Sequence, residues 1–171
     1  MKKLSIKKYA LFSAIISLGI VIDQLTKFLA VTFLKPVDTV PIIDGVIHLT
    51  YVENRGAAFG MLADSRWVFM IVSTVAIIGM LFYLYSGMAV TRLYEIAIAM
   101  IISGGIGNMI DRTALGYVVD MIDFRLIDFA VFNGADSFVC VGAGLLILAL
   151  ILDIVKDAKK EKAKKNDPDG N

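Results

Sequence analysis

Four apolar runs, at about 9–31, 67–85, 93–110 and 137–154, constrain this chain more than anything else in it. Each is close to the ~20 residues a helix needs to cross a hydrocarbon core of about 30 Å. Lipid offers no water to satisfy free backbone groups, so runs of this kind must be helical. With 58% hydrophobic residues among 171, there is room for one such domain. The expected fold is membrane all-α with a small β element: a four-transmembrane-helix bundle in a single integral domain at 1–154, then a basic tail at 155–171.

Charge gives the orientation. Lys2, Lys3, Lys7 and Lys8 precede the first run, Arg92 precedes the third, and the lysines from Lys156 to Lys165 follow the fourth. The positive-inside rule assigns these ends to the cytoplasm and leaves about 32–66 and 111–136 on the outer face. The lysine tail reads as a solvated, partly disordered end attracted to anionic membrane lipid. The basic start and apolar stretch to Ile22 mimic a signal peptide, but Asp23 and Gln24 stand where small cleavage-site residues belong, so an uncleaved first span is expected. The lysines are terminal and lack an aromatic-basic platform, which argues against nucleic acid as a partner. A single cysteine, Cys140, rules out an internal disulfide and is expected to be buried. His48 has no obvious Cys or His partners and reads as a surface or structural residue. No metal-ligand cluster or cofactor motif stands out.

Depth counting brings the polar residues of different runs to one layer. At 1.5 Å per residue, Asp23 and Lys27 lie roughly 21 and 27 Å from the start of the first run, and Asn108 and Asp111 roughly 22 and 27 Å from the start of the third. The fourth run returns inward from Ser137, with Asp136 at its outer end. Asp23 and Lys27 are i, i+4 neighbours, and Asn108, Asp111 and Arg112 share a face. As structure alone, these are pairs that let polar groups survive in lipid, with Asp111 and Arg112 as a salt bridge closing the third run. Ser103 with Gly107, and Cys140 with Gly144, have the small-xxx-small spacing of close helix contacts, with Gly104, Gly105 and Ala143 nearby. Such contacts would bring the outer ends of runs three and four together.

The outer segments are not simple loops. Thr39 to Val52 is rich in β-branched residues around Asp44-Gly45 and reads as a hairpin or curved sheet. It leads into the glycine-bearing turn Asn54-Arg55-Gly56-Ala57-Ala58-Phe59-Gly60. With Tyr117 to Phe132, these segments are expected to form a β-rich platform on the membrane, and Thr39 to Met61 to clamp over a bound peptide.

Asp120 and Asp136 stand at the edges of the last two runs. Two carboxyls brought together in a poorly solvated site share a proton, because like-charge repulsion raises one apparent pKa. One ionised and one protonated carboxyl can activate water and protonate a leaving amine. Sixteen positions separate them, so only tertiary folding can pair them. Asp123 is a rival for Asp120, with Asp111 and Asp128 as further candidates; otherwise Asp123 and Asp128 are solvated loop charges.

Asp23 with Lys27, Asn54-Arg55-Gly56-Ala57-Ala58-Phe59, the stretch from Gly104 to Arg112, Val118-Val119-Asp120 and Phe132-Asn133-Gly134-Ala135-Asp136 together resemble lipoprotein signal peptidase, or signal peptidase II. The blocks occur in order and cover nearly the whole chain outside its termini. The resemblance implies an aspartic endopeptidase of the bacterial cytoplasmic membrane. Its substrates are diacylglyceryl-modified prolipoproteins, cut just before the lipidated cysteine, and globomycin-like cyclic peptides inhibit it. The implied dyad is Asp120 and Asp136. The implied supporting residues are Asp23, Lys27, Asn54, Gly56, Gly104, Asn108, Arg112, Asn133 and Ala135. No cofactor is implied. Met121 and Gly134 depart from the usual pattern, which bears on substrate preference more than on activity.

Three other readings are open to the residues themselves: a proton-linked transporter component, a non-enzymatic helical scaffold, and a Ser-Lys protease using Ser137 and Lys27. The last is separable. Replacement of Ser137 by Ala is expected to leave cleavage of a lipidated prolipoprotein intact, whereas loss of cleavage in the folded variant would favour the serine reading.

Overall fold

The computed structural model describes residues 5–56, 66–88 and 91–166. It is mostly helical, with a small sheet. In chain order the elements are α1 (Ile6–Leu29), which widens into a π-helical turn (Ala30–Leu34), then β1 (Thr39–Ile43), β2 (Ile47–Asn54), α2 (Arg66–Tyr85), α3 (Arg92–Ala114), β3 (Val118–Asp123), a short 3-10 turn (Arg125–Ile127) and α4 (Gly134–Asn166).

Among the described residues, three helical segments are long and apolar enough to cross a membrane: Ile6–Leu34, Arg92–Ala114 and Gly134–Lys162. The chain is therefore a multi-pass membrane protein. The apolar part of α2, Met70–Tyr85, is shorter. Leu18, Val72, Ile151 and many other large apolar side chains point outward from the helices. That arrangement suits lipid, where apolar residues need no protein cover and small residues and polar pairs bind helices together.

Small residues do that work here. A Cβ on Gly104 would fall well inside van der Waals distance of the Ala135 carbonyl oxygen, and one on Gly142 would lie 2.8 Å from the Ala97 carbonyl oxygen, so α3 and α4 meet backbone to backbone at two levels. A Cβ on Gly107 would lie 2.5 Å from Asp23 Oδ2, and Gly19 lies tight against Ser103, which seats α1 on the same helix. The Cys140–Gly144 pairing expected from spacing is not a contact: Gly144 faces open space, and Cys140 is exposed rather than buried. An apolar neighbourhood in the sequence does not distinguish protein interior from lipid, and the contact falls instead on Gly142. Phe12, Ile16, Ile77, Leu84, Ile98, Ala99 and Ile102 fill the space between α1, α2 and α3.

The platform segments form a three-stranded antiparallel sheet in the order β1-β2-β3. Gly45, at φ +69°, makes the hairpin turn that Asp44-Gly45 predicts. The pairing changes register between Leu49 opposite Ile122 and Val52 opposite Asp120, so β2 carries one extra residue beside Asp120. Such a bulge re-aims the side chains around it. Ala30, Leu34, Val119 and Met121 pack together and attach the sheet to the end of α1.

α4 runs on to Asn166, so the described part of the basic segment after residue 154 is helical. Its Lys, Ala and Glu residues are strong helix formers, and Asp157 and Lys160 pair at i, i+3. Asp123 is not a solvated loop charge: it is buried in β3, accepts hydrogen bonds from Thr50 Oγ1 at 2.7 Å and Arg125 Nε at 2.9 Å, and is held below the ordinary carboxylate range, burial opposing and these partners prevailing. His48 is buried within the sheet, its Nε2 accepting from Gly45 N–H, which leaves it a structural residue.

Gly104→Ala is expected to cost roughly 1–3 kcal/mol, as overpacking does, because the helix backbone of α4 rather than a movable side chain stands in the way. Gly144→Ala, with open space to enter, is expected to be nearly neutral. Thermal unfolding of the two variants in matched detergent checks the contrast.

Candidate functional site

The start of α4 is built from Asn133-Gly134-Ala135-Asp136. Asn133 Oδ1 accepts the backbone N–H of Asp136 at 2.9 Å, and Asp136 Oδ2 accepts the backbone N–H of Asn133 at 3.2 Å. This reciprocal pair is a capping box, with Asn as the cap and Asp three residues on. Another N–H of the first turn, that of Ala135, donates to Asp23 Oδ1 of α1 at 2.8 Å. Helix N-termini carry such unsatisfied donors, and carboxylates answer them well. Asp136 is thereby fixed through local chain geometry, and Ala135 contributes its backbone while its fully buried methyl lies against α3.

Asp120 arrives from the sheet. It is almost wholly buried, with Asn133 Nδ2 donating to Oδ1 at 2.6 Å and Asn54 Nδ2, from the end of β2, donating to Oδ2 at 2.9 Å. Asn108 Nδ2 of α3 donates to Asp136 Oδ1 at 2.7 Å, and Asn108 Oδ1 accepts from Asn133 Nδ2 at 3.1 Å. Three asparagine amides thus hold two carboxylates. Asn133 touches both of them, which is why a residue with no charge lies fully buried at the centre of the site.

Beneath this layer lies an ionic one. Lys27 Nζ lies 2.9 Å from Asp23 Oδ2 and 3.1 Å from Asp111 Oδ2, and it donates to Asn108 Oδ1 at 2.9 Å. All three charged groups are buried. Spacing foretold the Asp23–Lys27 pair, and Asp111, expected to pair with Arg112, turns to Lys27. Gln24, which sequence reasoning passed over, donates to Asp111 Oδ1 at 3.0 Å.

Asp120, Asp136, Asn54, Asn108 and Arg112 line one cavity of about 580 Å³. Phe129, Val131, Cys140 and Val141 form much of its apolar side. Burial, joined by the charge of Asp136, pushes the Asp120 carboxyl up to about 6, while the hydrogen bonds from Asn54 and Asn133 work the other way. Arg112 Nη2 reaches toward the Gly56 carbonyl at 3.5 Å, and the Gly56 N–H donates to Asn54 Oδ1 at 3.0 Å, closing an Asx turn at the end of β2. Ala57, Ala58 and Phe59 of that turn lie outside the described residues, as does the rest of the expected clamp to Met61. Gly104 serves helix packing and does not line the cavity.

Of the sequence-predicted residues, the fold brings Asp120, Asp136, Asn54, Asn108, Asn133 and Arg112 around the cavity and puts Asp23, Lys27 and Ala135 directly behind it. Asp123 lies apart, tied to Thr50 and Arg125. Ser137 lines the cavity too, with its hydroxyl donating to the Asn133 carbonyl at 3.0 Å. Met121 and Gly134 border a different, apolar cavity of about 500 Å³.

A multi-pass bundle that gathers two carboxylates, one of them almost wholly buried, around a cavity at the foot of a small sheet belongs with membrane enzymes. The structure superposes on a bacterial membrane enzyme solved by the in meso method at 2.3 Å resolution with a TM-score of 0.80 and 32% identity, covering 90% of this chain and 93% of the other. The sequence is 50% identical over 132 residues to a lipoprotein signal peptidase of Caldanaerobacter subterraneus subsp. tengcongensis, covering 77% of this chain and 90% of the relative. It is 48% identical over 141 residues to one of Clostridioides difficile, covering 82% and 95%. The family described as Signal peptidase (SPase) II matches residues 15–152. The chain belongs to the signal peptidase II family, peptidases that remove signal peptides from prolipoproteins.

Asn133→Ala removes the amide that donates to Asp120 and Asn108 and accepts the Asp136 N–H, leaving only the backbone contact to the Asp136 carboxylate. It is expected to lower turnover per folded molecule by about 10²-fold, the scale set by small misplacements of reacting groups. Single-turnover cleavage by protein quantified as folded tests this, and undiminished turnover would deny Asn133 an orienting role.

Proposed function

We propose that the protein is an aspartic endopeptidase of the bacterial cytoplasmic membrane that cuts diacylglyceryl-modified prolipoproteins just before the lipidated cysteine, with Asp120 and Asp136 as its catalytic dyad. The observation that carries this reading is that two carboxylates from different elements face one cavity, each held by asparagine amides and neither neutralised by a direct ion pair with Lys27. Family membership supplies the substrate class.

Asp120, with its carboxyl near 6, is ionised at neutral pH and serves as the base that takes a proton from the attacking water. Asp136 then acts as the acid that protonates the leaving amine. Arg112 and Asn54 bind the substrate backbone or the oxygen that gains charge. Phe129, Val131 and Val141 receive apolar side chains. Ser137 and Lys27 do not form a nucleophile pair in this reading, since the hydroxyl is turned to Asn133 and the ammonium to Asp23, Asp111 and Asn108.

The four helices form four spans, α2 included, with both termini cytoplasmic and the sheet on the outer membrane surface as a platform. That depth lets the substrate's acyl chains remain in lipid while the scissile bond enters the polar cavity. Globomycin-like cyclic peptides compete for the same cavity.

The test is cleavage of a diacylglyceryl-modified prolipoprotein, beside its unlipidated form, by the wild type and by folded Asp120→Asn and Asp136→Asn. Cleavage before the lipidated cysteine should be lost in both variants. Its retention in either would remove that residue from the dyad. In the wild type, turnover should fall as the pH is lowered through about 6, where Asp120 gains its proton. Asn54→Ala, lacking one hydrogen bond that favours the ionised form, should move that fall to higher pH.

A further inference from the structure

The Asp111 carboxylate does more than neutralise a lysine. Its Oδ2 lies 3.1 Å from Lys27 Nζ and also accepts the backbone N–H of Val119 at 3.0 Å, while Oδ1 accepts from Gln24 Nε2 at 3.0 Å. Val119 is the residue immediately before Asp120. One buried side chain of α3 therefore joins α1, through Lys27 and Gln24, to the strand that carries half of the dyad. The same helix, three residues earlier, carries Asn108, which holds Asp136 and accepts from Lys27.

We infer that Asp111 is a positioning residue for the peptidase reaction: by clamping Val119 N–H and Lys27 together it sets where Asp120 stands relative to Asp136. The inference rests on the reading of Asp120 and Asp136 as the dyad. On one edge β3 is paired with β2, Asp120 opposite Val52, Val119 opposite Glu53 and Val118 opposite Asn54. On its other edge the Val119 N–H goes to Asp111, and the next backbone donors along the strand, Met121 and Ile122 N–H, turn to the Phe132 carbonyl just ahead of the α4 cap. Asp111 thus fixes the strand before the carboxylate and Phe132 fixes it after. Without the first tie, this edge of the strand loses its fastening to α3, and displacement of a reacting group by about 1 Å is enough to cost 10²-fold in rate.

The clamp has an electrostatic side. Among the described residues, the charged groups around the dyad are Asp23 and Lys27 from α1, Asp111 and Arg112 from α3, Asp120 from β3 and Asp136 from α4; β2 presents the neutral Asn54, and its Glu53 pairs with Lys35. Lys27 is shared by two carboxylates. If one of them is made neutral, the ammonium is less compensated, and its field reaches the dyad through Asn108. A net positive change favours ionised carboxyls, so the dyad's titration should move to lower pH.

Three variants separate positioning from bulk stability: Asp111→Asn, which keeps the shape and an acceptor but not the charge, Asp111→Ala, which removes both, and Asp111→Glu, which restores the charge at a longer reach. Each is assayed as folded protein in detergent with lipidated prolipoprotein, beside Asp120→Asn and Asp136→Asn. Asp111→Ala is expected to lower kcat by about 10–100-fold with KM within about twofold, following the misplacement argument. Asp111→Asn should lose less and shift its pH–rate profile to lower pH, while Asp111→Glu keeps the wild-type profile. A wild-type kcat and profile in folded Asp111→Asn and Asp111→Glu would overturn the inference, whether or not Asp111→Ala folds. So would variants that only unfold at lower temperature yet turn over normally per folded molecule. If Asp120→Asn or Asp136→Asn still cleaves, it is the dyad assignment that fails.

Discussion

A lysine ammonium buried in a membrane bundle must find carboxylates, and the way Lys27 finds two of them organises this protein. Isolated charges at that depth are costly, and breaking one partner from a buried pair typically costs about 3–5 kcal/mol. Asp23 comes from the same helix and Asp111 from another, so satisfying Lys27 requires α1 and α3 to stand in one relation. The second oxygens of these carboxylates then reach outward, Asp23 to the first turn of α4 and Asp111 to Gln24, while the Asp111 oxygen that faces Lys27 also takes the N–H of Val119 in β3. The ionic layer acts as a keystone for the elements that carry the candidate dyad.

Above that layer the chain changes chemistry. The carboxylates facing the cavity are held by asparagine amides, which donate hydrogen bonds without supplying a full positive charge. An arginine or lysine in the same place would have favoured the ionised form of Asp120. With amides there instead, burial lifts the Asp120 carboxyl to about 6. The small-residue contacts serve the same end: Gly104 and Gly142 let α3 and α4 approach backbone to backbone, which brings Asn108 within reach of Asp136.

Much of this was legible in advance. The four apolar runs overlap the four helices, although α4 runs on well past the end of the fourth run; the Asp44-Gly45 hairpin formed, and depth counting put Asp23, Lys27, Asn108 and Asp111 in one layer. The Asn133-x-x-Asp136 spacing at the head of an apolar run is a capping-box signature, so the local anchoring of Asp136 is written in the chain beside its chemistry. Less legible were the roles of Gln24 and Asp111, since hydropathy counts a polar residue in a span without saying which partner it meets. Cys140 shows the same limit from the other side, because an apolar run looks alike whether it faces protein, lipid or a cavity.

What the sequence by itself determined is local or additive: helices where lipid forbids free backbone, the i, i+4 pair of Asp23 and Lys27, a turn where glycine accepts positive φ, and family membership carried by ordered motifs. What only the tertiary structure decided is which distant groups meet. Asp120 and Asp136 face one cavity because a bulged strand and a capped helix are fastened to the same buried charges, and Asp123, three residues from Asp120, is turned instead to Thr50 and Arg125. Register and helix rotation set such meetings, and both follow from contacts among residues far apart in the chain, to which spacing along it is blind.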